Sequence, residues 1–295
     1  MKKSYLYAGV AILIWSTTAT VSKLMLNTLS SYQVLMLSAF FAAAALLVTT
    51  IINGRIKLLR RYRIKDYIIT LLIGLPGTFL YYAFLYAGTA KMAASQAFII
   101  NYLWPIMSVV FACIILKEAV TARKCVAFVV SFLGVLTVAG GDIFALNTET
   151  LIGAGLCVMA AVSYGVFTAL NRKWDYDNQI TVMLSYFATF ILSAVVSLIS
   201  GDNLKIEPLQ WLGFAWSGIF VMAVATILWA LSLKHGDTAK ISNLAYATPF
   251  ISLVWTFFIL QEPIEPLSVI GLVTIVVGIL IQLKSPKNNG MKRLK

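Results

Sequence analysis

The amino-acid sequence predicts an all-α integral membrane protein with ten transmembrane helices in two inverted five-helix repeats. Three observations lead to this fold class: the composition, the long apolar runs and a self-similarity at a fixed offset. Of the 295 residues, 60% are hydrophobic and 12% are charged. A soluble domain averages about 45–50% apolar and about 25% charged residues, so the excess apolar surface has to face lipid.

The apolar runs are long enough to cross a bilayer, which takes about 20 predominantly apolar residues in a helix. They are continuous and do not alternate with polar residues, which favours helices over a β-barrel. The first run is longer than the apolar part of a signal peptide, so we count it as a span. The predicted spans cover residues 5–26, 31–52, 66–89, 92–116, 124–141, 150–171, 179–200, 208–233, 238–260 and 266–284.

The basic residues predict how the spans are oriented. With a cytoplasmic N-terminus, 20 of the 23 lysines and arginines lie in cytoplasmic segments, as the positive-inside rule requires. The acidic residues concentrate in the opposite loops. We therefore predict a multi-pass protein of a bacterial inner cell membrane, with both termini and a basic tail, residues 285–295, in the cytoplasm.

The sequence also repeats itself. A shift of 144 residues places spans three to five on spans eight to ten without a gap. Each half holds an odd number of spans, so the halves, residues 1–141 and 150–284, have opposite orientations. Such inverted repeats indicate a transporter that works by alternating access, with its substrate site near the midplane. The informative identities pair Tyr102 with Tyr246, Pro105 with Pro249, Glu118 with Glu262 and Gly134 with Gly278.

The sequence lacks the motifs that several other functions require. The chain has neither a Gly-rich phosphate loop nor an acidic pair suited to acid–base catalysis, and its three cysteines lack metal-ligand spacing. We therefore expect no catalytic residue, no metal and no cofactor. The basic residues lie in short loops and form no basic face, so no nucleic acid is expected. The expected partners are a small-molecule substrate and the lipid bilayer, and the chain is a monomer or a homodimer.

Polar and amphipathic residues inside the spans predict the substrate site, because such residues are costly in lipid unless they face a partner or a wet cavity. They form clusters in spans three, four and nine, and single aromatic residues in spans one, six and eight add to them. The predicted substrate-binding residues are Trp15, Tyr81, Tyr82, Asn101, Tyr102, Trp104, Tyr164, Trp229, Asn243 and Tyr246. By contrast, Tyr5, Trp211 and Trp216 fit the aromatic belts at the membrane interfaces.

Three prolines are predicted to mark helix breaks or gating points. Pro76, between two glycines, is expected to bend or interrupt span three. Pro105 and Pro249 each remove the N–H that would bond a carbonyl one turn earlier, which leaves that carbonyl to a neighbour, water or a ligand. Broken helices at equivalent places in two halves point to a central site.

The string Asn101-Tyr102-Leu103-Trp104-Pro105 and its counterpart 243–249 resemble the EamA branch of the drug/metabolite transporter superfamily. Within that branch the chain looks most like the aromatic amino-acid exporters. The resemblance implies a ten-helix basket that exports metabolites without ATP, with a cavity between helices one, three, four, six, eight and nine. By this resemblance, the aromatic residues that line the cavity are Tyr81, Tyr102 and Trp104, and Trp15 and Tyr164 match the family less closely.

The leading hypothesis is an exporter of amino acids, including aromatic ones, or of related small metabolites. The alternative is a transporter of another class, for nucleobases, vitamins or drugs, and a membrane scaffold or enzyme is more remote. No charged side chain falls at mid-membrane, where proton and sodium sites usually place a carboxylate. We therefore expect facilitated diffusion or exchange, or weak proton coupling through Glu118 or Glu262 at the span ends.

Overall fold

A computed structural model describes residues 2–144, 147–203, 205–236, 241 and 244–283. Within them, eight helices are long and apolar enough to cross a membrane, and two shorter apolar helices follow. The predicted all-α fold with ten spans is confirmed. The predicted tail, residues 285–295, lies outside the described residues. The helices are α1 (Lys3–Leu26), α2 (Ser31–Ile52), α3 (Ile64–Lys91), α4 (Ala94–Ile115), α5 (Ala122–Ala139), α6 (Thr148–Lys173), α7 (Asn178–Ile199), α8 (Pro208–His235), α9 (Ala247–Leu260) and α10 (Pro266–Ile281).

Polar residues in the short loops set where several helices begin. Ser30 and Gln33 form a reciprocal capping box at the start of α2. Asn147 accepts a hydrogen bond from the backbone N–H of Thr150 at the start of α6, and Asp177 does the same for α7. Each cap satisfies an N–H that has no partner within its helix.

The helix packing repeats when every helix number is raised by five. Helix α1 packs against α8 and α9, and α6 packs in the same way against α3 and α4. Helix α2 packs against α8, and its counterpart α7 packs against α3. In the pairs α2–α7 and α5–α10, the two helices that pack together are themselves related by the repeat. Each half contributes five helices that alternate in direction, so the two halves are inverted with respect to each other.

The backbone repeats at the same offset of 144 residues that the sequence shows. Lys117 and Gln261 both adopt the left-handed conformation, each with a φ of 57°, after the ends of α4 and α9. The next residue in each half, Glu118 or Glu262, donates its backbone N–H to a carbonyl six residues earlier. Local geometry has therefore been kept in both halves where side chains have diverged.

Glycines let α5 and α10 approach each other closely. A methyl group on Gly134 would lie 2.7 Å from the carbonyl oxygen of Gly271, and one on Gly278 would lie 2.8 Å from that of Ala127. These two contacts are related by the 144-residue repeat. Small residues at helix interfaces allow backbones to pack closely in lipid, where apolar burial gives little net attraction.

A stripe of hydroxyl side chains runs along α7 at every fourth residue, and α7 packs against α2 and α3. The Thr189 hydroxyl donates to Thr78 of α3 at 3.0 Å, and a side chain on Gly74 of α3 would collide with Ser185. Spacing of four residues puts these groups on one helix face. The stripe consists of Thr181, Ser185, Thr189, Ser193 and Ser197, all nearly inaccessible to solvent.

Substitution of Gly278 by alanine tests the α5–α10 contact. The added methyl group has no room beside Ala127 and Ser131, and overpacking of this kind costs about 1–3 kcal/mol. We expect Gly278→Ala to lower the melting temperature of the detergent-purified protein. Gly155→Ala is the matched control, because a methyl group there meets nothing within 4 Å and alanine favours helix. Equal melting temperatures for the two variants would contradict this packing.

Candidate functional site

Helix α4 is broken in the middle, and the break places the first group of site residues. Its helical segments are Ala94–Asn101 and Trp104–Ile115, and residues 102 and 103 form a turn between them. Pro105 lies in the first turn of the second segment, where a missing N–H removes no helical hydrogen bond. In the other half, residues 245 and 246 form the equivalent turn before Ala247, and Pro249 is buried just after it.

Pro76 has a different effect from the other two prolines. Helix α3 runs continuously from Ile64 to Lys91, and Pro76 marks a change of helical geometry within it and not a gap. The residues Pro76–Leu80 form a π-helical turn, which widens the helix where the proline lacks its N–H. The structure shows a second π-helical stretch, Trp216–Val224 in α8, at the equivalent place in the other half, although that stretch contains no proline.

Asn101 is the last residue before the break in α4 and is 4% exposed. Its amide nitrogen lies 2.9 Å from the hydroxyl oxygen of Tyr81 in α3. Its amide oxygen has no hydrogen-bond partner among the described residues. Exchange of the two amide atoms would leave the nitrogen unpartnered instead. In either arrangement one strong polar atom of Asn101 is buried without a partner among the described residues.

Aromatic rings continue from this amide across the boundary between the halves. The ring of Tyr164 in α6 lies 5.1 Å from that of Tyr81 and 5.1 Å from that of Trp104, measured between centroids. Trp104 in turn lies 6.4 Å from Tyr102. Because α3 and α4 belong to the first half and α6 to the second, these four rings and Asn101 form a continuous wall between the repeats.

A second aromatic group extends the wall toward α7. Tyr82 contacts Tyr81, with 4.8 Å between the ring centroids, and lies 5.5 Å from Tyr86 and 6.5 Å from Tyr186. Although Tyr81 and Tyr82 are neighbours in α3, both rings contact aromatic partners from the second half. Tyr186 was not among the predicted site residues, because nothing in one apolar span marks a tyrosine as the partner of another.

One hydrogen bond joins the two broken helices directly. The Tyr102 hydroxyl, at the break in α4, donates to the carbonyl oxygen of Ala245, in the turn before α9. Pro249, four residues later, has no N–H to donate to this carbonyl, which also accepts the backbone N–H of Thr248 at 3.0 Å. Tyr246, beside it, is half-buried and packs against the core. The remaining predicted residue of α9's N-terminal side, Asn243, lies outside the described residues.

Trp15 and Trp229 form a separate pair, with 5.5 Å between their ring centroids. Helix α1 is interrupted at Thr17, and the Ser16 and Thr17 hydroxyls donate to carbonyls three residues earlier, a pattern that bends helices. Trp216 of α8 donates its indole N–H to the Thr17 hydroxyl. Trp216, which the sequence predicts to lie in an interfacial belt, therefore also contacts α1 at this interruption.

The arrangement favours binding over covalent chemistry. The aromatic walls present π faces, and the buried amide of Asn101 offers one directional polar contact. Within the described residues, no group of three or more His, Cys, Asp or Glu could hold a metal ion. Sites with apolar walls and a few placed polar groups are typical of small-molecule binding.

Comparison with known proteins identifies what the chain resembles. The sequence profile of the EamA-like transporter family matches residues 2–140 and 151–283. A protein of Clostridium kluyveri named "Uncharacterized transporter" is 24% identical, over 100% of this chain and 97% of its own. The "Aromatic amino acid exporter YddG" of Ancylobacter novellus is 23% identical, over 61% of this chain and 63% of its own. A solved crystal structure with 20% identity has a TM-score of 0.68 over 95% of this chain and 96% of its own, which shows a shared fold.

Substitution of Tyr102 by phenylalanine tests the link between the two breaks. The carbonyl of Ala245 keeps the backbone N–H of Thr248 as a donor but loses the hydroxyl, which costs about 0.5–1.5 kcal/mol. We expect a lower melting temperature in detergent for Tyr102→Phe. Tyr5→Phe, at an exposed tyrosine, is the control and should melt like the wild type. A Tyr102→Phe protein as stable as both would contradict the link.

Proposed function

Since the chain belongs to the EamA-like transporter family, we propose that it exports amino acids, including aromatic ones, by alternating access. The family and the names of its relatives indicate a transporter and not an enzyme. Our proposal for the substrate and the binding site rests on one observation. The buried amide of Asn101, which has an unpartnered atom, lies beside aromatic rings contributed by both halves.

The chemistry of the wall suits a molecule with a planar apolar side chain and an amino group. The ring of the substrate would lie against Trp104 and Tyr164, whose centroids are 5.1 Å apart in the free protein, so these rings would have to separate to admit it. The ammonium group would be held by the Asn101 oxygen and by the π faces of the rings. These groups define the proposed binding site, together with Tyr81, Tyr82 and Tyr102.

The carboxylate of an amino acid needs a different partner. Among the described residues, the rings around Asn101 have no arginine or lysine in contact with them through a hydrogen bond or ion pair. The helical segment that begins at Trp104 presents the positive end of its dipole at the break. We assign the carboxylate to this helix end, as in transporters whose discontinuous helices bind anionic groups.

Two further expectations belong to this proposal. The printed name of the Ancylobacter relative supports the substrate class, since that protein is named as an aromatic amino acid exporter. The distribution of basic residues supports an inner cell membrane location with both termini in the cytoplasm. The lack of a mid-membrane carboxylate in the sequence supports exchange or facilitated diffusion.

Counterflow in liposomes tests the proposal. Vesicles loaded with unlabelled phenylalanine should accumulate labelled phenylalanine, and Trp104→Ala and Asn101→Ala should each slow this exchange about tenfold, a change that corresponds to about 1.4 kcal/mol of lost interaction. Trp211→Ala removes a tryptophan that is 44% exposed on the outer surface of the bundle and serves as the matched control.

The counterflow result separates the substrate classes. Exchange of phenylalanine or threonine that Trp104→Ala and Asn101→Ala impair, but Trp211→Ala does not, supports the proposal. Exchange of a nucleobase, a vitamin or a cationic drug, with neither amino acid exchanged, would contradict the proposed substrate. Exchange of an amino acid that neither Trp104→Ala nor Asn101→Ala affects would contradict the proposed site.

A further inference from the structure

A glutamate from the second half is bound to the start of a helix in the first half. Glu262 follows α9, and its carboxylate accepts hydrogen bonds from the backbone N–H groups of Ala94 and Ser95 at 2.8 and 2.9 Å. It also accepts the Ser95 hydroxyl at 2.7 Å. Ala94 and Ser95 are the first two residues of α4. One side chain therefore ties the two repeats together at the end of the bundle where α4 begins.

The contact is strong for its size. Charged acceptors make shorter and stronger hydrogen bonds than neutral ones, and the first N–H groups of a helix lack partners within it. The helix dipole adds a favourable interaction with a carboxylate at this position. Glu262 replaces the capping side chain that α4 does not supply itself, since Ala93 precedes the helix and has no polar group.

The backbone holds the Glu262 carboxylate in place. Gln261 adopts the left-handed conformation, which ends α9 and turns the chain. The backbone N–H of Glu262 then donates to the carbonyl of Thr256 at 3.3 Å, and Pro263 follows. These constraints fix the backbone turn of the second half from which the Glu262 carboxylate extends.

The contact is connected to the proposed binding site through one short helical segment. Ala94–Asn101 is a single eight-residue helix, about 12 Å long at 1.5 Å per residue. Glu262 binds its first turn, Asn101 stands at its last residue, and the break at residues 102 and 103 follows. A displacement of this segment away from Glu262 would move Asn101 relative to Tyr164 of the second half.

A lysine fixes the other side of this segment. Lys23 of α1 donates from its ammonium group to the carbonyl oxygens of Thr89 and Met92, both at 2.8 Å. These carbonyls lie at the end of α3, just before α4 begins. The connection between α3 and α4 is therefore attached to its own half by Lys23 and to the opposite half by Glu262, while the exposed pair of Lys91 and Glu149 makes a second link between the halves at this end.

The equivalent glutamate of the first half is bound differently. Glu118 has the same backbone geometry, after left-handed Lys117, but its carboxylate pairs with Arg172 at 2.8 Å and Lys124 at 3.2 Å. The Arg172 guanidinium holds the pKa of Glu118 below its ordinary value. All three side chains are partly exposed, where ion pairs contribute little. Among the described residues, the equivalent glutamates thus bind backbone N–H groups in one case and charged side chains in the other; residues 238 and 239, the counterparts of Ala94 and Ser95, lie outside the described residues.

We propose that Glu262 is a latch that holds the two repeats closed at the end of the bundle where α4 begins, and that its release from Ala94 and Ser95 opens the binding site to that side. This inference rests on the alternating access proposed above. The latch selects which side is closed and takes no part in recognising the substrate.

Distances between spin labels across the latch test this inference in the purified full-length protein without substrate. The labels are placed at Ala90 and Ile264, which are exposed and belong to opposite halves. A second pair at Ala119 and Lys173 reports on the other end of the bundle. Cys113 and Cys125 are replaced by serine, while Cys157 is buried and stays. The variants compared are Glu262→Ala, Glu262→Gln and, as control, Glu149→Gln, an exposed carboxylate paired with Lys91 at the same end.

Glu262→Ala should raise the ratio of long to short distances at the first pair about tenfold or more, because a charge-assisted contact shifts an equilibrium by at least that factor. Glu262→Gln keeps one acceptor and should fall between Glu262→Ala and the wild type. The second pair should shift toward shorter distances as the other end closes. Glu149→Gln should match the wild type at both pairs.

Three results would overturn the latch. The first is an unchanged distance distribution in Glu262→Ala, and the second is an equal change in Glu149→Gln. The third is a longer distance at the first pair with no change at the second, which would mark local fraying and not alternation. If Glu262→Ala fails to fold, Glu262→Gln decides between these results. Because no substrate is present, a failure of phenylalanine counterflow leaves this test intact.

Discussion

A carbonyl that loses its helical donor inside a membrane needs another partner, because no water is at hand in the hydrocarbon core. This constraint governs the centre of the molecule. Helix α4 breaks, and α9 begins, at equivalent places, and the Tyr102 hydroxyl at the break gives the carbonyl of Ala245 a donor in addition to the backbone N–H of Thr248. The breaks are therefore tolerated as a pair, and they keep the facing parts of the two halves in contact at the point where the aromatic wall is built.

The two halves share a backbone and differ in their side chains. The left-handed residues after α4 and α9, the turns at residues 102 and 246, the π-helical turns of α3 and α8 and the glycine contacts of α5 and α10 repeat at one offset. The buried amide of Asn101 and the rings of Tyr81 and Trp104 come from the first half, and the backbone-capping contact of Glu262 comes from the second. The fold thus supplies a symmetric scaffold, and in the function we propose one half contributes most of the recognition and the other the closure of one end.

The sequence predicted features that depend on local chemistry. Continuous apolar runs gave the ten spans, and Pro105 and Pro249 pointed to the positions near which α4 and α9 break. Gly134 and Gly278 were visible as an identity between the repeats, and the structure shows why alanine would not fit there. The predicted residues Tyr81, Asn101, Trp104 and Tyr164 do lie side by side, whereas Trp15 and Trp229 form a pair of their own.

Features that depend on contacts between distant residues could not be predicted. The π-helical stretch of α8 contains no proline, and the interruption of α1 occurs at two hydroxyl residues, Ser16 and Thr17, that accept hydrogen bonds from tryptophans of other helices. Tyr186 looks like any tyrosine in an apolar span. Glu262 looked like a boundary residue, since its partners are backbone N–H groups more than 160 residues away, and backbone donors leave no signal in the sequence.

The central claim is that the ring wall around Asn101 borders a chamber that opens to alternate sides of the membrane. A cysteine at position 164, in a protein without its exposed native cysteines, tests this most directly when a charged thiol reagent is added to either face of sealed vesicles. The account predicts that the reagent reacts from each side in turn and that phenylalanine slows both reactions. A cysteine that resists the charged reagent from both sides, yet reacts with a lipid-soluble one, would contradict it.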